Sequence, residues 1–151
     1  MSGRRTVLVT GCDGGIGRAL VAGFAAEGWS VVGTDRHEHP AAEGLDRYVV
    51  ADLATEDGVA GLLEVLESID HLDGLVNNAA LQLNRPLVDT DDDMWSEVFR
   101  VNLDAAFRLI RWSAPRLATT GGAIVNIGSV HALVTSPNVA AYAVSKGALV
   151  A

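Results

Sequence analysis

The sequence predicts an α/β fold, a doubly wound parallel sheet in which strands alternate with helices. Three observations carry this. Short apolar runs rich in Val, Ile and Thr recur along the chain without polar alternation, as buried parallel strands do. Between them lie stretches with apolar residues at helical spacing. The first run also leads through a cluster of glycines directly into the first helical stretch, the strand-turn-helix order typical of such sheets.

The 151 residues suffice for one domain with a real core, and we read residues 1–151 as a single unit. Hydrophobic residues make up 49% and charged ones 20%, ordinary values for a globular protein. The net charge is −8, with no basic stripe, which argues against nucleic acid as a partner. No apolar stretch approaches the ~20 residues of a membrane span. The N-terminus has no long apolar segment of a signal peptide, and one cysteine, Cys12, makes no internal disulfide. A cytoplasmic setting is therefore the expectation. Cys12 itself reads as a small loop residue, since no motif around it supports a nucleophile.

Thr6–Thr10 (TVLVT) is the first strand. The turn Gly11-Cys12-Asp13-Gly14-Gly15-Ile16-Gly17 follows, then the helical stretch RALVAGFAAEG. Glycines let the backbone turn and approach a ligand, and the helix N-terminus offers N–H groups and a positive dipole end. The arrangement suits a phosphate. Its spacing is T-G-x-x-x-G-x-G, on Thr10, Gly11, Gly15 and Gly17.

Ser30–Thr34 is the second strand and ends at Asp35. An acidic residue about 20 positions past the glycines, at a strand end, can accept hydrogen bonds from an adenosine ribose. It would repel a 2′-phosphate, which favours NAD over NADP, although Arg36 stands next to it and can offset the repulsion. His37–Gly44 reads as a loop, with His37 and His39 as solvated histidines rather than metal ligands. Arg47–Ala51 is the third strand, closed by Asp52-Leu53, a pair placed to cap an adenine ring. Thr55–Ile69 reads as a helix with Thr55 as its N-cap. Gly74–Val76 opens the fourth strand and runs into Asn77-Asn78-Ala79-Ala80, where small side chains would let a cofactor pass close to the backbone.

The acidic cluster Asp89–Asp93 precedes a long apolar-periodic stretch, Met94 to Leu117, and reads as helix capping; a metal site is the alternative. Asn102 lies within that stretch, where a carboxamide is ordinarily an exposed polar residue. Ala123–Ile127 is the fifth strand. Ser129 follows it, and Tyr142 and Lys146 lie one turn apart on one face of the next helix. Opposite unit charges about 4 Å apart at an effective dielectric near 20 interact by roughly 4 kcal/mol, about 3 pK units. An ammonium beside a phenol can thus bring it toward neutrality, where a general acid/base works best. A Tyr-x-x-x-Lys pair alone arises by chance on many helices, so its weight depends on the rest of the chain.

Taken together, Thr10–Gly17, Asp52-Leu53, Asn77-Asn78-Ala79-Ala80, Asn102, Ser129 and Tyr142-x-x-x-Lys146 resemble the short-chain dehydrogenase/reductase family, in its short reductase-type branch. Ala80 departs from the glycine more usual there. The resemblance implies a Rossmann-like sheet and an NAD(P)-dependent oxidoreductase acting on a small alcohol or ketone. It implies Tyr142 as acid/base and Lys146 as the group that lowers its pKa and binds the nicotinamide ribose. Ser129 would orient the substrate oxygen, and Asn102 would hold a water in a proton relay. Cofactor contacts are implied at Gly11, Asp13, Gly15, Ile16, Gly17, Asp35, Asp52, Leu53, Asn78 and Ala79, besides Tyr142 and Lys146. The cofactor is NAD, with NADP possible. Subunit-contact helices of the family type imply a homodimer or homotetramer of the full-length protein.

Five strands are legible where a doubly wound dinucleotide domain has six, so the expectation is a chain that stops short of its last strands, about 100 residues below a size of roughly 250. A non-catalytic dinucleotide-binding or interaction fragment is the alternative function. His131, Leu133, Val134, Gln82 and Leu83 are candidates for lining a substrate pocket. The fifth strand would lie at the sheet edge and favour aggregation of the isolated chain.

Overall fold

The computed structural model describes residues 3–151. Five parallel strands form one sheet in the order β3-β2-β1-β4-β5. They are β1 (Thr6–Thr10), β2 (Ser30–Asp35), β3 (Arg47–Val50), β4 (Gly74–Asn77) and β5 (Ala123–Asn126). The helices are α1 (Gly15–Ala26), α2 (Glu56–Leu66), α3 (Asp92–Phe99), α4 (Ala105–Thr120) and α5 (Ala140–Val150). The expected doubly wound α/β sheet is thus observed.

Every residue of β1 is buried, because neighbours pair with it on both edges and helices cover both faces. Side chains alternate between the two faces. Leu8 points into a core with Val32, Val49, Leu75 and the apolar sides of α2 and α4. Val7 and Val9 point the other way, against Val21 of α1, Val31 and Val76. Cys12 lies in the turn between β1 and α1, as expected of a loop residue, and it is fully buried as part of this second core.

The strand and helix ends differ from expectation by a few residues. β3 stops at Val50 and β5 at Asn126, yet the amides of Ala51 and Ile127 still bond to Asp35 and Asn77 carbonyls at 2.9 Å each. The Thr55 hydroxyl caps α2 by accepting the Gly58 N–H at 3.0 Å, but the helix ends at Leu66 and not Ile69. The acidic cluster does cap: Asp91 accepts the Met94 N–H at 2.8 Å, and Asp92 and Asp93 lie in the first turn. The stretch from Met94 to Leu117 is not one regular helix. A π turn at Arg100–Asp104 separates α3 from α4, and Asn102 sits in it.

Candidate active site

From β1 the chain crosses to β2 on one side and, later, to β4 on the other, so a crevice opens beyond the strands' C-terminal ends, where ligands bind in open α/β sheets. Here it is a cleft of about 420 Å³. Gly11, Asp13, Gly15, Ile16 and Gly17 of the turn, with Asp35, Asp52, Leu53, Asn78 and Ala79, all line it, so the expected cofactor contacts other than Tyr142 and Lys146 border one cleft.

Gly11 has φ +61°, and a Cβ there would stand 2.8 Å from the Ala79 Cα. The turn therefore requires glycine both for conformation and for the close passage of β4's tail. At Gly17 a Cβ would lie 2.1 Å from the Gly11 carbonyl oxygen, so α1 can seat against the turn only without one. Gly15 differs: nothing lies within 4 Å of its Cβ position, and it lines the open cleft. No side chain caps α1, and no acidic residue stands in its first turn. Its leading N–H groups and positive end are available for an anion.

β1 and β4 are stitched at the floor. The Thr10 hydroxyl accepts the N–H groups of Asn78 and Ala79, each at 3.0 Å. The Asn78 amide donates to the Thr10 and Gly11 carbonyls, each at 2.9 Å. Asp52 accepts the Ala54 N–H at 2.9 Å, while Leu53 joins the core and the cleft wall. Ile16 is 59% exposed at the start of α1.

Asp13 lines the cleft and also ties down the neighbouring loop. Its carboxylate accepts the Ala41 and Ala42 N–H groups at 2.8 and 3.0 Å and the Tyr48 hydroxyl at 3.0 Å. It pins the loop between β2 and β3 rather than projecting as a free ligand group. Burial, and then the Asp13 carboxylate that accepts its hydrogen, push the Tyr48 phenol up from its ordinary value. Burial also pushes the Cys12 thiol up to about 12, with Asp13 and Asp35 adding to the effect.

The second group of residues lies beside this cleft rather than on its lining. Ser129 accepts the His131 N–H at 3.2 Å and begins a short 3₁₀ turn. The His131 ring meets Tyr142 edge-on with centroids 5.9 Å apart. Lys146 is 1% exposed, and its ammonium donates to the Ile127 carbonyl at 2.7 Å and lies 5.9 Å from the Tyr142 ring centroid. Burial lowers the Lys146 pKa.

Asn102 joins the two groups. It is 2% exposed, contrary to the ordinary reading of a mid-helix carboxamide. Its oxygen accepts the Leu81 N–H at 2.7 Å, and its amide donates to the Leu81 carbonyl at 3.0 Å and to the Ser145 hydroxyl at 2.9 Å. Leu81 lines the cleft, and Ser145 stands on α5 between Tyr142 and Lys146. With both amide hydrogens donated to protein groups, the Asn102 side chain has none left for a water. Leu81, Ser145, Tyr48 and the Ile127 carbonyl were not legible as site residues. Two of them act through backbone atoms, which leave no mark in residue identity.

Comparison with known proteins bears on this geometry. The family model described as short chain dehydrogenase matches residues 5–151. A 3beta-hydroxysteroid dehydrogenase of Mediterraneibacter gnavus is 34% identical over 96% of this chain and 56% of its own length. A cyclopentanol dehydrogenase of a Comamonas species is 33% identical over 96% of this chain and 62% of its own. Among solved structures, a 4-hydroxyisoleucine dehydrogenase complexed with NADH superposes with TM-score 0.86 at 32% identity, covering 97% of this chain and 65% of that one. A gluconate 5-dehydrogenase from Burkholderia cenocepacia in complex with NADP and tartrate gives 0.83 at 36%, covering 96% and 61%. The chain spans less than two thirds of the length of these relatives. With a family match that runs from residue 5 to 151, and with the sheet and glycine turn described above, the chain belongs to the short chain dehydrogenase family.

Proposed function

We propose that this chain carries the dinucleotide site and the acid/base group of an NAD(P)-dependent oxidoreductase that transfers a hydride between the cofactor and an alcohol or ketone. One observation carries the reading: Asn102 bonds to the wall of a glycine-floored cleft and to the helix that presents Tyr142 and Lys146. A phosphate-binding floor and a phenol-ammonium pair are thereby held in fixed relation.

The cleft fits the adenosine and pyrophosphate portions of a dinucleotide. Gly11, Gly15 and Gly17, with the uncapped start of α1, would take the pyrophosphate. Asp35 would meet the ribose diol, with Asp52 and Leu53 flanking the adenine and Ile16, Asn78 and Ala79 bordering the cofactor's path. Asp13 contributes by holding the adjacent loop. When bound, the nicotinamide ring supplies or takes the hydride. Tyr142 then gives or takes the proton at the substrate oxygen, and Ser129 orients that oxygen. Lys146 holds its ammonium beside the Tyr142 ring and would bind the nicotinamide ribose. A relay water at Asn102 would bind a backbone carbonyl, because a π turn leaves one out of the regular helical ladder. Among the described residues no helix is long and apolar enough to cross a membrane; we propose a cytoplasmic enzyme that works as a homodimer or homotetramer.

Asp35 tests the reading. Steady-state kinetics on a panel of secondary alcohols should give a higher kcat/KM with NAD than with NADP, and Asp35→Ser should erase or invert the preference. Equal or better use of NADP by the wild type would remove Asp35 from the ribose site. Absence of hydride transfer across the panel would sink the activity itself.

A further inference from the structure

A single hydroxyl stands behind the cleft wall and meets two residues of its lining. The Tyr48 phenol, on β3, donates to the His37 carbonyl at 2.6 Å and to Asp13 Oδ2 at 3.0 Å. His37 and Asp13 reach the cleft from different segments, the loop after β2 and the glycine turn, whereas Tyr48 is absent from the lining. Its ring is half-buried and packs against the second core. Asp13 Oδ1 also accepts the Ala41 and Ala42 N–H groups, and Ala42 is buried in the same core. The segment 37–42 is therefore a strap. It is tied at its two ends to Tyr48 and Asp13, with Glu38, His39 and Pro40 exposed between the ties.

We propose that Tyr48 is a positioning residue for the dinucleotide: its hydroxyl clips this strap to the glycine turn and so pre-forms the adenosine end of the cleft. The proposal rests on the dinucleotide reading given above. Asp35 stands between the two clipped segments. Its Oδ2 accepts the Asp13 N–H at 3.1 Å, and the chain reaches His37 two residues later. Holding Asp13 and His37 together therefore holds the walls on either side of it.

The clip is narrow. A phenol carries one hydrogen, so the two acceptors share it. Burial, and then the Asp13 carboxylate, push the Tyr48 pKa up, which keeps that hydrogen in place. Among the described residues no other hydrogen bond reaches the His37 carbonyl. Without the hydroxyl the strap keeps its ties at Ala41 and Ala42 and loses the one at the cleft. The order that the protein supplies in advance would then have to be restored when a ligand binds, at a cost in affinity.

The experiment is calorimetric titration of wild type and Tyr48→Phe with NAD⁺ and with ADP-ribose, which lacks the nicotinamide, beside limited trypsin cleavage followed by fragment mass. Tyr48→Phe keeps the packed ring and removes only its oxygen. Kd should rise about three- to tenfold, the worth of one hydrogen bond, and by the same factor for both ligands. Cleavage after Arg36, at the foot of the strap, should quicken by a like factor and more than at any other site, because it follows the locally open population. Saturating NAD⁺ should return it to the wild-type rate. Equal Kd values in the two proteins, or a rise for NAD⁺ alone, would overturn the role of Tyr48 and leave the dinucleotide site standing. Equal acceleration at every cleavage site would do the same, since the hydroxyl would then support the whole fold and not the strap. Failure of the wild type to bind either ligand would overturn the dinucleotide reading and this inference with it.

Discussion

The two flanks of the sheet are built differently. From the middle of the sheet toward β2 and β3, the floor of the cleft is closed by glycines at 11 and 17 that admit no Cβ, by a Thr10–Asn78 stitch between β1 and the tail of β4, and by an Asp13 latch on the loop between β2 and β3. On the β5 side, the strand sits at the edge of the sheet with three of its four residues exposed, and α5 is tied in by the Lys146–Ile127 and Asn102–Ser145 bonds. One flank is fixed by steric exclusion, which tolerates almost no change. The other is fixed by a few buried polar bonds, which involve residues of the proposed acid/base group. Binding and catalysis should therefore fail separately under mutation.

Tyr142→Phe should expose that separation most strongly. It removes one oxygen from a half-buried ring, so kcat should fall about 10² to 10⁴-fold, the usual worth of positioned proton transfer, while NADH affinity stays unchanged in a fluorescence titration. Turnover within a few-fold of wild type would return the Tyr142–Lys146 pair to a chance helical spacing.

Gly17→Ala should break the other flank. Its Cβ would meet only backbone atoms, at 2.1 Å from the Gly11 oxygen and 2.8 Å from the Cys12 Cα. We expect a loss of about 3 kcal/mol in denaturant unfolding together with loss of NADH binding. Gly15→Ala, with open space around the added methyl, should leave stability unchanged or raised by about 0.5–1 kcal/mol and weaken only the cofactor. Equal damage from both would show that α1 can shift.

Asn102→Ala probes the link between the flanks. It strands the Leu81 N–H and carbonyl and deprives the Ser145 hydroxyl of a donor. Chemical denaturation should register about 2–3 kcal/mol, with kcat reduced more than NADH affinity. A variant as stable as wild type would mean that water replaces the carboxamide.

The smallest effect concerns Lys146→Met. Replacing a buried ammonium by an apolar side chain of similar volume is often neutral or stabilising, so stability at neutral pH should change by less than about 1 kcal/mol or rise, even as turnover is lost. The pH dependence has a definite sign. Burial lowers the folded-state pKa of Lys146 below its ordinary 10.5. Between the folded and unfolded values the unfolded chain holds more protons, so wild-type stability gains with rising pH there. Any advantage of Lys146→Met should be largest near neutrality and shrink as pH approaches 10.5. An advantage that grows with pH would contradict burial as the cause.

The sheet and the glycine turn were legible because their causes are local: β-branched runs, periodicity and positions that only glycine can occupy. That Asp35, Asp52, Leu53, Asn78 and Ala79 would border one cleft was legible for the same reason, as each stands at or just after a strand end. Asn102 could be picked out by position but not understood, since a mid-helix carboxamide gives no hint of a π turn or of a buried bond to α5. The second task of Asp13, pinning the loop between β2 and β3, was not legible, because its partners are two backbone N–H groups and a tyrosine far along the chain. Residue identity reports what a side chain offers, and it is silent on which distant backbone atom accepts the offer.

Cys12 has a practical consequence. It is the one cysteine in the chain, lies fully buried, and has its sulfur where a Cβ on Gly33 would approach it to 2.8 Å. A modifying reagent can reach it only when the glycine turn lifts away from β2, and the raised pKa keeps the closed-state thiol unreactive. Its labelling rate is therefore a clock for the opening of the turn. Because there is no other thiol, the whole signal comes from that one event. A dinucleotide seated on the turn should slow the clock by the factor by which it occupies the site, and saturation of that slowing would measure the affinity without any substrate or turnover.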